Sequence, residues 1–63
     1  MRSTLIGKKF KVYQGDKLED IGIVEEVEIY YGHMGEAYCI VRFPDGTKYR
    51  RWVRLANEVR EEE

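Results

Sequence analysis

The 63-residue chain is enough for one domain, hiding only about 60% of the surface that its unfolded form exposes, while 43% hydrophobic and 13% aromatic residues exclude a disordered segment. Eleven Lys or Arg against twelve Asp or Glu give a formal charge of -1, which argues against a strongly basic protein that coats phosphate. One Cys and one His exclude an internal disulfide and a structural zinc site, so a reduced, cytoplasmic setting is expected.

The elements are predicted in chain order. Residues 1–7 are a lead-in, in which Leu5 and Ile6 are too few apolar residues for a signal-peptide core. No run approaches the roughly 18 apolar residues of a membrane span, and no membrane partner is expected. Residues 8–14 read as a first strand, with Phe10 and Val12 on one face and Lys9, Lys11 and Tyr13 on the other. Residues 15–20 are polar and read as an excursion between strands.

Residues 21–31 are the longest strand candidate: Ile21, Ile23, Val27, Ile29 and Tyr31 alternate onto one face, opposite Glu26, Glu28 and Tyr30. Glu25 and Val24 fall out of phase, and a bulge near residues 24–26 repairs both faults. Gly32 and Gly35 bracket a turn, and residues 37–43 form the next strand. After Pro44, Asp45 and Gly46, residues 48–54 make another strand. Residues 55–58 make a single 3-10 turn, a last strand lies around Val59, and residues 61–63 form an acidic disordered tail. Five short strands over residues 8–60 predict an all-β, strongly bent, small SH3-like barrel.

Two hairpin registers compete around Pro44. A two-residue loop would put Arg50 and Trp52 on the face of Val41 and Phe43. A three-residue loop, with Pro44 and Asp45 in a type I turn and Gly46 left-handed, places Tyr38 opposite Trp52 and Cys39 opposite Arg51. The second is favoured because it keeps Lys48 and Arg50 away from the core. Its inner set is Ala37, Cys39, Val41, Phe43, Tyr49 and Val53, with Arg51 required to reach an edge or a carboxylate.

The outer set is then Tyr38, Ile40, Arg42, Lys48, Arg50, Trp52 and Arg54. Rings beside cations suit single-stranded nucleic acid, where aromatics stack on bases and Arg or Lys meets phosphate. The same strip suits a protein partner, and Glu26 or Glu28 pairing with Arg42 or Arg50 would make it ordinary strand surface. A further reading gathers Tyr13, Tyr30, Tyr31, Tyr38 and Trp52 into an aromatic cage around a methylated ammonium. No enzyme and no cofactor are expected: His33 lies in a turn without triad partners, Cys39 is on the inner face, and Asp16, Glu19 and Asp20 match no complete calcium loop.

The segments GIVEEVEI at 22–29, YCIVRFPDGTKYRRWV at 38–53 and LANEV at 55–59 together resemble the SH3-like barrels of Tudor and KOW-type domains. That resemblance implies a closed five-stranded barrel and a binding module for methylated peptides, nucleic acid or protein assemblies. It does not choose among them, and the GHMG turn departs from the aromatic-bearing loop of Tudor domains.

Overall fold

A computed structural model describes residues 5–60; the first four residues of the lead-in and the tail expected at 61–63 lie outside the described residues. Five strands follow one another: β1 (Lys9–Gln14), β2 (Lys17–Tyr31), β3 (Glu36–Arg42), β4 (Lys48–Arg54) and β5 (Glu58–Val59). One 3-10 turn, Leu55–Asn57, precedes β5 as expected, and a second occupies Gly32–Met34. All pairings are antiparallel, in the order β4-β3-β2-β1-β5.

The expected barrel closure is overturned. β4 and β5 stand at the two ends of the order and no ladder joins them, so the sheet is open. The cause is the chain after β4: the 3-10 turn diverts it, and β5 retains two residues, both paired with Lys9 and Phe10 of β1. The Tudor and KOW resemblance falls with the closure. Its motifs specify a hairpin and a glycine-led strand, which an open sheet also uses.

Side chains hold what the ladder does not. Arg51 on β4 donates from Nε and Nη2 to the two carboxylate oxygens of Glu19 on β2, at 2.8 and 2.9 Å, and lies 5.0 Å over the Tyr49 ring. This bidentate pair fastens the start of β2 to the edge strand. It also gives Arg51 the carboxylate that its inner-face register demanded.

Three register shifts shape β2. Between Val12↔Asp20 and Tyr13↔Leu18 the ladder with β1 passes over Glu19; between Val24↔Val41 and Glu26↔Ile40 the ladder with β3 passes over Glu25. A third shift, between Val27↔Cys39 and Ile29↔Tyr38, passes over Glu28. Each extra residue advances the side-chain phase by one, so Val24, Val27 and Tyr30 share the inner face at a spacing of three instead of two. The bulge expected near residues 24–26 is present. The shifts over Glu19 and Glu28 were not anticipated; the one over Glu28 turns Ile29 and Tyr31 outward, and ahead of the Glu25 bulge Ile21 is exposed and Val24 buried, which corrects the predicted face.

The stretch expected as a polar excursion is the beginning of β2. Gln14 pairs with Lys17, leaving Gly15 and Asp16 as a two-residue turn with Gly15 at φ +64°. Polarity misleads here because Lys17 and Leu18 face water in spite of their pairing, and Glu19 is the residue that the ladder passes over.

The core comprises Phe10, Val12, Val24, Ala37, Cys39, Val41 and Val53, with Leu5 and Phe43 nearly as enclosed. Val27, Tyr30, Tyr49 and Leu55 pack around it. Full burial of a side chain such as Phe10 or Val24 contributes about 1.5–3 kcal/mol. Leu5 reaches this core because the Gly7 N–H donates to the Val24 carbonyl at 2.8 Å and the Val24 N–H donates to the Lys8 carbonyl at 3.0 Å.

The β3–β4 hairpin adopts the three-residue loop. Phe43 N–H donates to the Thr47 carbonyl, Gly46 N–H to the Phe43 carbonyl and Thr47 N–H to Asp45 Oδ1, at 3.0, 2.8 and 2.9 Å. Gly46 has φ +88°, a left-handed conformation in which a Cβ is strained. The predicted pairs follow, with Tyr38 opposite Trp52, Ile40 opposite Arg50 and Cys39 opposite Arg51.

Two outcomes are expected. Gly46→Ala loses about 1 kcal/mol in urea denaturation. The Glu19 carboxyl is held below its ordinary 4.5, chiefly by the Arg51 hydrogen bonds and against an opposing push from burial. Its stabilisation is therefore present above that ordinary value and lost as pH falls through the lowered one. Stability of Glu19→Gln, followed by thermal unfolding from neutral to acid pH, is reduced at pH 7 and loses less than the parent on acidification.

Candidate functional site: an outer face of rings with neutralised cations

The register across β2, β3 and β4 aligns outward side chains in rows. Ile29, Tyr38 and Trp52 form one row, and Tyr31 lies in the next, ahead of Glu36 and Arg54. Trp52 is the centre: Tyr38 meets it at a centroid distance of 5.1 Å, and Tyr31 stacks on it at 5.9 Å with planes 7° apart. The site is therefore an exposed aromatic cluster on a small all-β domain. Trp52 is 45% exposed, Tyr31 42% and Ile29 41%, a concentration of apolar surface that a folded domain ordinarily covers.

Beyond the rings, three of the strip's four cations face carboxylates. Glu25 accepts from Arg42 Nε at 2.7 Å and lies 3.4 Å from Lys48 Nζ, while Glu28 accepts from Arg50 Nε at 3.1 and 3.3 Å. Both glutamates are residues that the β2–β3 ladder passes over. The Arg42 hydrogen bond is the main reason that the Glu25 carboxyl is held below its ordinary range, with Lys48 adding to it against burial. Glu28 likewise raises the Arg50 guanidinium, first by its hydrogen bond and then by its charge. Among the described residues no ion pair involves Arg54.

The five rings of the cage reading are distributed unevenly. Tyr31, Tyr38 and Trp52 come together, at distances typical of direct ring packing. Tyr30 turns inward, close enough to Gly32 that a Cβ there would come within 2.6 Å of its ring. Tyr13 lies on β1 and lines a cleft of about 630 Å³ with Lys11, Glu36, Trp52, Arg54 and Asn57. Ile40 is half-buried in the row between Glu26 and Arg50.

Sequence reasoning missed Ile29 as part of this face, and it missed Lys11 and Asn57 as cleft residues. Glu28 keeps the simple alternation of the sequence, so nothing there marks the bulge that turns Ile29 outward. Nothing in the sequence brings Lys11 and Asn57 together, since the contact of β1 with the turn before β5 is tertiary.

The remaining candidates have local accounts. His33 is exposed, with its ring edge-on to Tyr31 at 6.4 Å, and Asp20 accepts the Ile21 N–H at 2.7 Å. Among the described residues no group of three or more His, Cys, Asp or Glu is arranged to hold a metal ion, and no helix is long and apolar enough to cross a membrane. A second, mostly apolar cleft of about 380 Å³ lies among Ile21, Ile23, Phe43, Pro44 and Val59. No family model, curated protein or solved structure matches the chain.

Cys39 is fully enclosed, and burial pushes its thiol up to about 11, with the Glu28 charge as a second cause. Only the thiolate is nucleophilic. Ellman's reagent at neutral pH is therefore expected to leave folded protein unmodified and to titrate one thiol in urea; rapid modification without urea would contradict the burial.

Proposed function

We propose that the chain is a small, non-catalytic binding module that contacts another protein through Ile29, Tyr31, Tyr38 and Trp52. The observation carrying this reading is the pairing of Arg42, Lys48 and Arg50 with glutamates of β2. A nucleic-acid face gains most of its affinity from cations that neutralise phosphate. Here three of the four cations of the strip already face carboxylates, and those carboxylates would repel a phosphate chain. What stays accessible is apolar and aromatic, the composition favoured at the centres of protein interfaces.

The ring geometry favours a platform over a cage. With centroids 5.1 and 5.9 Å from Trp52, Tyr38 and Tyr31 fill the space that an ammonium between them would need. A partner therefore lies across the rings. Aromatic centres of this kind lose about 2 kcal/mol or more of binding on truncation, while rim charges lose little.

A photo-crosslinking phenylalanine analogue at position 38 tests the proposal in extract from the source cells. The expected result is a discrete protein adduct that persists in moderate salt, falls at least tenfold in a Trp52→Ala background and is unchanged by Lys17→Ala. Binding of a labelled single strand or duplex that weakens steeply with salt and with Trp52→Ala would replace this reading with the nucleic-acid one.

A further inference from the structure

We infer that the cleft beside Trp52 receives an acidic segment of the protein partner, an inference that rests on the protein-binding reading of the neighbouring face. The cleft lies where β1 and β4 approach without pairing, and its walls carry two rings, Tyr13 and Trp52, and two cations, Lys11 and Arg54. Trp52 belongs both to this cleft and to the outer cluster, so one segment lying across the indole reaches both.

Charge decides the occupant. Arg42, Lys48, Arg50 and Arg51 all hold carboxylates of β2, whereas among the described residues neither Lys11 nor Arg54 enters an ion pair. Among the described residues Glu36 is the one carboxylate in the lining; it stands opposite Arg54 in the ladder without forming an ion pair with it. Two cations against one acid leave a positive surplus between aromatic walls. The matching ligand places one or two carboxylates toward Lys11 and Arg54 and an apolar side chain on Trp52. A symmetric cleft-to-cleft pairing with a second copy does not match, since it would bring the same surplus of cations to the cleft.

Two capped hexapeptides, acetyl-EELFEE-amide and its glutamine counterpart acetyl-QQLFQQ-amide, test the assignment by titration into 15N-labelled protein at low ionic strength. The acidic peptide is expected to shift the amides of Lys11, Tyr13 and Asn57 and the Trp52 indole N–H, and to bind about tenfold tighter than the glutamine peptide. The double variant Lys11→Gln and Arg54→Gln, which alters two exposed side chains outside the core, is expected to equalise the two affinities. Equal affinities in the parent, no binding of either peptide, or shifts that leave Lys11 and Asn57 unmoved would overturn the inference. So would an oligothymidylate that occupies the cleft more tightly than the acidic peptide.

The two readings fail separately. Equal affinities with shifts at Ile29 and Tyr31 leave the outer face standing and remove the cleft. Binding confined to Lys11, Tyr13 and Asn57, undiminished by Tyr31→Ala and Tyr38→Ala, keeps the cleft and removes the outer face.

Discussion

Three glutamates that β2 leaves out of its ladders hold four of the cations of β3 and β4, and the surface chemistry of the domain depends on them. Glu19 takes Arg51, Glu25 takes Arg42 and Lys48, and Glu28 takes Arg50. An extra residue in a strand shifts the alternation of everything beyond it. Placing that residue as a glutamate gives the displaced side chain a solvated carboxylate and an arginine within reach. The same device brings Val24, Val27 and Tyr30 inward and turns Ile29 and Tyr31 out. Core and surface on β2 are thus consequences of one irregularity repeated, and regular pairing over 15 residues would produce neither.

Much of this was legible where chemistry is local. Pro44, Asp45 and Gly46 dictate a turn with one left-handed residue, and the register through Tyr38 and Trp52 follows without tertiary information. The out-of-phase pair Val24 and Glu25 announced the first β2–β3 bulge in the same way. Glu28 gave no such signal, because it keeps the alternation and Ile29 and Tyr31 suit an inner face as readily as an outer one. Closure was not legible at all: whether an edge strand meets its counterpart depends on where a 3-10 turn sends two residues. The strand propensities around Val59 carry no such direction. The polar start of β2 misled for a related reason, since its pairing places those residues in solvent.

The site illustrates how composition can mislead about a partner. Four cations within residues 48–54 read as a basic surface when counted along the chain. In three dimensions Lys48, Arg50 and Arg51 face carboxylates brought from β2, and Arg54 differs from them by its position at the β1 cleft. Sequence-local charge and surface charge diverge because ion pairs in a sheet form across strands. The rings, by contrast, gain by folding: Tyr31 and Trp52 are 21 positions apart and stack into one platform.

The Arg51 guanidinium has one more contact. Its Nη1 donates to the Arg50 carbonyl at 2.9 Å. Arg50 is in a non-hydrogen-bonded pair with Ile40, so this carbonyl points away from β3 toward the free side of the edge strand. An unpaired edge is a template on which neighbouring chains stack into fibrils. By occupying one of its acceptors with a cation tethered to Glu19, Arg51 leaves one group fewer on that edge for another strand to pair with.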